Sequence, residues 1–227
     1  MDMLEAETTK PKDASDINSK EEAIEEVKRL RQLIKDLTVT DIGNNNSTTT
    51  TTTISKFNPN PTKELSKKDI EKCFLICEGK GSGDLSMLID GDTNLNVVNE
   101  DDETMLHLAC TNGNTKCVEL LINCGANLDL KDDFGKSPMR LACGAPKNKI
   151  SDDHFKCIEL LLLGGGDQNV VCDYGWTPLH KACEMGYIKA VELLVNHPSV
   201  DINKKEKGGE TALDKATEKE NVDVIEL

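Results

Sequence analysis

Apolar residues recur through most of the chain in short groups, which polar and glycine-containing turns separate. After residue 64 a Leu-x-Leu-Ala pattern at 106–109 is followed by Val-x-Leu-Leu at 118–121, and related pairs recur downstream. Apolar residues three and four positions apart share one face of an α-helix. The pattern therefore predicts an all-α fold built from pairs of short helices.

A separate amphipathic segment lies nearer the N-terminus, at residues 19–38. Ser19 and Glu22 have the spacing of a capping box, which favours a helix beginning there. Five apolar residues then alternate in steps of four and three: Ala23, Val27, Leu30, Ile34 and Leu37. We predict a helix over residues 20–38. Its apolar stripe has four interpretations: a short coiled coil that gives a weak homo-oligomer, docking on a partner, folding back onto its own domain, or a helix that is only marginally stable alone.

The segments on either side of this helix bury little. Residues 1–18 are polar and mixed in charge, so we predict a disordered tail. Residues 39–63 contain three consecutive asparagines, the run of threonines at 48–53, and the prolines at 59 and 61. Homopolymeric polar tracts form no packed core and proline opposes helix, so we predict a low-complexity linker.

The helix pairs after residue 64 open with a repeated motif. Its first residues, here called anchors, are Thr104, Ser137, Thr177 and Thr211, at intervals of 33, 40 and 34 residues. The motif reads Thr-Pro-Leu-His-x-Ala at 177–182 and matches in part at the other three anchors. Glycine stands two residues before each anchor except the first, where Asp102 takes its place. A glycine there supplies the positive φ that a hairpin-like turn requires.

Together these features resemble the ankyrin-repeat family, whose unit is about 33 residues long. The resemblance covers residues 64–227 and implies an ankyrin solenoid, in which helix pairs stack and hairpin-like loops join them. We expect five units, at 64–98, 99–131, 132–171, 172–205 and 206–227, with the first acting as a cap and the last partial. The resemblance implies that His107 and His180 tie one unit to the next by hydrogen bonds. Arg140 replaces this histidine in the third unit, which puts that bond in doubt.

The charge of the chain restricts its partners. It carries 27 Lys and Arg against 41 Asp and Glu, a formal net charge of −14. This charge repels phosphate backbones and anionic lipids, so we expect no nucleic acid and no membrane as partner. The sequence shows no secretory signal and no apolar run of about 18 residues. Nine cysteines, an odd number, favour a reducing compartment, the cytoplasm or the nucleus.

The cysteines are interpreted as core residues. Cys110, Cys143 and Cys183 each follow an anchor by six positions, which indicates a small apolar slot that the repeat fills. Cys73 and Cys77 lack a second ligand pair for zinc, so we expect no metal and no cofactor. The chain has no phosphate loop, nucleophile elbow or His-Glu-x-x-His motif, and we expect no enzyme.

The hairpin tips carry the binding hypothesis. In ankyrin proteins the tips and first helices line a concave binding surface, and here three aromatic residues fall on adjacent tips: Phe134, Tyr174 and Trp176. We predict that these anchor a protein partner. The candidate charged residues around them are Asp101, Glu103, Lys136 and Asp173 at the tips, and Arg140, Lys181 and Glu184 on the first helices. The alternative is that the aromatic rings fold down onto the neighbouring unit.

The third unit is longer than the others, with an interval of 40 residues between its anchor and the next. The extra residues fall at 144–153, interpreted as a tolerated surface insertion or a contact site. The function that the residues favour is a non-catalytic adaptor that binds another protein. The alternatives are a scaffold that self-associates through residues 20–38, and a regulatory fragment of a longer signalling or enzymatic chain.

Overall fold

The computed structural model describes residues 62–227. In this part the chain forms nine α-helices and one 3-10 turn, and its only extended pairings are two isolated bridges, Lys63 with Thr93 and Val98 with Thr104. The all-α prediction is therefore confirmed for the described residues. The predicted tail, the helix at 20–38 and nearly all of the predicted linker lie outside them.

The helices come in successive pairs. The first unit has α1, Lys67–Cys77, followed by the 3-10 turn Leu85–Met87. The second has α2, Met105–Thr111, and α3, Thr115–Asn123; the third has α4, Pro138–Ala142, and α5, Asp152–Gly164. The fourth has α6, Pro178–Met185, and α7, Ile188–Val195; the fifth has α8, Ala212–Glu218, and α9, Val222–Ile225.

Each anchor residue begins the first helix of its unit. The hydroxyl oxygens of Thr104, Ser137, Thr177 and Thr211 accept the backbone N–H three residues further on. Such a bond satisfies one of the amides that the first helical turn leaves without a partner. Proline follows the third-unit and fourth-unit anchors, where its missing N–H costs nothing. The motif therefore sets where these helices begin.

Stacking of the first helices buries one apolar position of the motif. Two residues after the anchor, Leu106, Met139 and Leu179 are each 3% exposed or less. The equivalent Leu213 in the fifth unit is 55% exposed, because no helix among residues 62–227 packs beyond α8. The helices share one continuous core of aliphatic residues, alanine and cysteine. The solenoid is therefore held together by contacts between neighbouring units.

All nine cysteines are buried and none forms a disulfide. Burial raises the pKa of the Cys143 and Cys157 thiols to about 12. These two groups therefore stay neutral at physiological pH and pack as small hydrophobic side chains. Within residues 62–227 no group of three His, Cys, Asp or Glu side chains is arranged to hold a metal ion. The same residues contain no helix that could cross a membrane.

The insertion in the third unit is held against its neighbour. The Tyr187 hydroxyl donates to the Ala145 carbonyl at 2.6 Å, and the Lys189 amine pairs with Asp152 at 2.6 Å. Tyr187 also meets the Phe155 ring edge to face, with centroids 6.3 Å apart. The extra residues therefore form a fixed loop between α4 and α5 and leave the stacking of the first helices intact.

Candidate functional site

The hairpin tips form a continuous row. Each of the four tips closes with a backbone bond from the residue five before the anchor to the residue one before it, as between Asp132 N and Lys136 O at 3.0 Å. Backbone bonds also join one tip to the next, from Asp133 N to Asp101 O at 3.2 Å and from Asp173 N to Phe134 O at 3.3 Å. The third and fourth tips are joined in the same way, from Lys207 N to Tyr174 O at 3.2 Å. These bonds fix the spacing of side chains on adjacent tips.

A glycine permits this close approach. Gly135 has a φ of +70°, and a Cβ at this position would lie 2.4 Å from the Asp173 Oδ1 and 2.8 Å from its backbone nitrogen. Those separations are far below van der Waals contact, so any side chain would push the tips apart. Asp102 takes a φ of +55° at the first tip. Asp tolerates the left-handed region better than most residues.

Two of the three predicted aromatic residues are exposed on adjacent tips. Phe134 is 51% exposed and Tyr174 is 67% exposed. The Lys136 amine lies 4.1 Å from the centroid of the Phe134 ring, close enough for a cation–π interaction. Because Asp173 N donates to the Phe134 carbonyl, the two aromatic positions are held one tip apart.

Trp176 has a different environment. Its ring is half-buried, with the Lys215 amine 5.0 Å from the ring centroid and the His180 ring at 6.3 Å. Lys215 is itself buried and pairs with Glu210, which raises the pKa of the amine. Trp176 thus packs against its own helix and the fifth unit, as the alternative interpretation of the aromatic residues describes.

The predicted charged residues of the tips fall into two groups. Asp101 and Asp173 are exposed. Glu103 is half-buried and accepts a bond from the Asn99 amide at 3.0 Å, while the Lys136 amine lies 3.8 Å from the Asp132 carboxylate. Glu103 and Lys136 therefore already take part in the structure of their own tips.

Stacking gathers acidic side chains from separate stretches of sequence at the first and second tips. The pKa of Asp133 is raised, by the loss of hydration and by the nearby carboxylates of Asp132, Asp101 and Asp102. The two acidic runs are about 30 residues apart in sequence. Their proximity follows from the backbone bond between the two tips.

The first-helix candidates are partly occupied. The Lys181 amine pairs with Glu184 at 2.7 Å, and both side chains are half-buried. The Arg140 Nε is buried and has no hydrogen-bond partner among residues 62–227. No hydrogen bond from the Arg140 side chain to the next tip is found within this range, in contrast to the motif histidines.

The motif histidines join successive units, as the resemblance implied. His107 Nδ1 accepts the Thr104 backbone N–H at 3.0 Å, and its Nε2 lies 3.1 Å from the Lys136 carbonyl of the next tip. His180 repeats this arrangement, with its Nε2 3.2 Å from the Glu210 carbonyl. Because Nδ1 accepts, the single proton of the neutral ring lies on Nε2 and is donated. Burial lowers the pKa of both histidines.

His154 plays the same part on a second helix, which the sequence analysis missed. Its Nδ1 lies 3.0 Å from the Ser151 hydroxyl and accepts the Ser151 backbone N–H at 3.3 Å, while Nε2 lies 3.2 Å from the Thr111 carbonyl at the end of α2. The signal was present, since Ser151 and His154 have the spacing of the anchor and its histidine. This histidine links the second helix of the third unit to the second unit.

A groove on the first unit was also missed. It has a volume of about 740 Å³ and lies between α1 and the chain entering the first tip. Its apolar lining comes from Ile70, Phe74, Leu75 and Val98. Short apolar runs in this imperfect unit gave no indication that some of them face an open groove, because helical periodicity alone does not separate core from surface apolar positions.

The fold and the repeated tips agree with a comparison to known families. A family model described as ankyrin repeats, in three copies, matches residues 73–150 and 148–227, which is more than half of the chain. A comparison with curated protein sequences gave no match. The matched residues include the four anchors, the two motif histidines and the glycine turns whose geometry is described above. The chain belongs to the ankyrin-repeat family.

Proposed function

We propose that this protein is a non-catalytic adaptor that binds another protein through its row of hairpin tips and the adjoining first helices. Ankyrin repeats are generally protein–protein interaction modules, and their fold is typically non-catalytic. The observation that carries the more specific proposal is the pair of exposed aromatic side chains, Phe134 and Tyr174, on tips that a backbone bond holds in register.

The two aromatic side chains have the properties of interface anchors. Each offers a large rigid ring that loses little conformational entropy when it is covered, and large aromatic residues dominate the binding energy of many protein interfaces. Their backbone is already fixed by the bonds between tips, so binding does not require the tips to become ordered. Phe134 and Tyr174 would therefore supply most of the apolar contact.

The surrounding charges would select the partner and orient it. Asp101 and Asp173 are exposed and free to meet basic groups, while Glu103, Lys136, Lys181 and Glu184 form the partly paired margin of the surface. Rim charges affect the rate and specificity of association more than its strength. Trp176 and Arg140, which pack against the solenoid, would support the surface from beneath.

Affinity capture from a lysate tests this proposal, with wild type and two variants of the full chain compared by mass spectrometry. Phe134→Ala with Tyr174→Ala removes the two exposed rings, while Met87→Ala with Leu163→Ala removes two exposed apolar side chains elsewhere. Circular dichroism first establishes that all variants fold. We expect a protein that wild type and the Met87/Leu163 variant retain and that the Phe134/Tyr174 variant loses. Retention of the same proteins by all three would show that the tips are not the interface.

Trp176→Ala is a separate variant, because Trp176 is half-buried. If this variant loses the partner and also unfolds at a lower temperature, the Trp176 ring acts through the packing of the fourth and fifth units. If partner binding falls with no change in stability, the ring contacts the partner directly.

A further inference from the structure

The groove on the first unit combines an apolar floor with open access. Phe74 and Ile70 on α1 form its base, while Leu75 and Val98 line it with 47% and 48% of their surfaces exposed. These two half-exposed aliphatic residues come from different elements and face one groove. They form an apolar patch whose exposure to water is unfavourable. A volume of about 740 Å³ is within the range of about 300–1,000 Å³ that is typical of ligand-binding clefts.

The charged residues of the same groove are predominantly acidic. Glu71, Glu78 and Glu100 line it, against the single amine of Lys67. Glu78 pairs with Lys80 at 2.8 Å, whereas Glu71 and Glu100 are exposed and form no ion pair within residues 62–227. A basic ligand would therefore gain two carboxylates that the described part of the domain leaves unpaired, and an acidic ligand would be repelled.

The groove is continuous with the row of tips. Glu100 lines the groove and is followed directly by Asp101, which lies on the first tip. The Asp101 carbonyl accepts the Asp133 backbone N–H, so the acidic region extends from the groove to the first and second tips. The carboxylates of the groove and of these tips act in the same direction on an approaching charge.

From the apolar floor, the acidic margin and this continuity, we propose that the groove between α1 and the first tip binds a basic amphipathic segment of the protein partner. The inference rests on the proposed function, since it treats the groove as an extension of the tip surface. The segment would place aliphatic side chains over Leu75 and Val98 and direct Lys or Arg side chains toward Glu71 and Glu100. Aliphatic residues at three- and four-residue spacing, flanked by basic residues, meet both requirements when the segment is helical.

Selection from a random peptide library on the immobilised full chain tests the proposal. The library is depleted first on a Leu75→Gln, Val98→Thr variant, which nearly keeps the side-chain sizes but makes both side chains more polar. We expect the enriched peptides to carry aliphatic residues three and four apart and a net positive charge. Enrichment of acidic or uncharged peptides, or no enrichment over the depleted variant, would overturn the proposal.

One enriched peptide is then measured by fluorescence anisotropy against a set of folded variants. We expect the Leu75/Val98 variant to bind at least about tenfold more weakly, from the loss of two aliphatic contacts. Glu71→Lys with Glu100→Lys should also weaken binding and flatten its salt dependence. The control pair Leu163→Gln and Val222→Thr makes the same chemical changes at exposed positions outside the groove and should bind as wild type does. Binding of the peptide by the Leu75/Val98 variant with the affinity of wild type would overturn the assignment. A peptide affinity that falls as light scattering shows the chain forming dimers would also overturn it, because the groove would then bind a second copy of the chain.

The same peptide separates this inference from the proposed function. The Phe134/Tyr174 variant has an intact groove and should bind the peptide normally even though it loses the captured partner. If the Phe134/Tyr174 variant binds the peptide normally and still retains the captured partner, the proposed tip surface is refuted and the groove proposal is supported. If the Phe134/Tyr174 variant loses the partner and the groove shows no peptide selectivity, the tip surface is supported and the groove proposal is refuted.

Discussion

Replacing Gly135 by alanine tests whether contact between adjacent tips contributes to stability. The residue has a φ of +70°, which costs a non-glycine residue about 1–2 kcal/mol. Its new methyl group would also lie 2.4 Å from the Asp173 carboxylate and 2.8 Å from the Asp173 amide nitrogen. Relief of that overlap requires the next tip to move, which weakens the Asp173-to-Phe134 bond by about 0.5–1.5 kcal/mol. We therefore expect Gly135→Ala to lower the free energy of unfolding by about 2–3 kcal/mol.

Gly209→Ala is the matched control. Its φ is +88°, but a Cβ there would meet nothing within 4 Å. It should therefore cost only the backbone strain, about 1–2 kcal/mol. The two variants share the backbone strain, so the difference between their losses in free energy of unfolding measures the contribution of the contact between tips.

Equilibrium unfolding in urea measures both variants, followed by circular dichroism and by the fluorescence of Trp176. The two signals must coincide for a single free energy to be defined, because repeat proteins do not always unfold in one step. A cost for Gly135→Ala no larger than that for Gly209→Ala would refute the reasoning. Adding Asp173→Ala to Gly135→Ala should recover part of the loss, since it removes the nearest of the overlapping atoms.

Three further predictions concern the histidine positions. Because burial lowers the pKa of His107 and His180 below the unfolded value of about 6.5, their neutral rings stabilise the fold above that pH. The free energy of unfolding should therefore fall as the pH drops from 7.5 to 5.5, by at most about 1.4 kcal/mol per pH unit for each histidine. In urea titrations at several pH values, the free energy of unfolding of the His107→Gln, His180→Gln variant should depend less steeply on pH. Arg140→His should raise the free energy of unfolding by about 1 kcal/mol, since it can supply the missing bond to the Trp176 carbonyl; a lower urea midpoint would contradict this. His154→Ala should cost about 1–3 kcal/mol, because it leaves the partly buried Thr111 carbonyl at the end of α2 without its donor, and an unchanged melting temperature would show that water replaces the ring.

The helices and their beginnings could be read from local residue chemistry. An anchor hydroxyl, a following proline and the apolar positions of the motif act within one turn, so Thr177 and its neighbours predicted α6 directly. The positive φ at Gly175 follows from the same local pattern. These features depend on residues close in sequence, and sequence-based reasoning finds them well.

Features that depend on neighbouring units could not be read in the same way. The half-burial of Trp176 requires Lys215 from the fifth unit, and the bond of His154 requires a carbonyl 43 residues away. The groove beside Leu75 combines residues of α1 with Val98, at the end of the first unit, and with Glu100 of the second unit. The predicted helix at 20–38 and the scaffold role based on it stay predictions, since those residues lie outside the described part.

The bonds of the motif histidines give the stack of first helices a chemical direction. In the bonds of His107 and His180 the donor belongs to the earlier unit and the acceptor carbonyl to the later one, whereas the second-helix bond of His154 runs the other way, to Thr111 of the preceding unit. In the fifth unit Asp214 stands at this position and accepts from Thr211, so it satisfies its own helix but offers no proton to a following carbonyl. The units are therefore not interchangeable parts: a recombinant array that placed the fifth unit ahead of another would lose one bond at that joint, whereas duplicating the fourth would keep it.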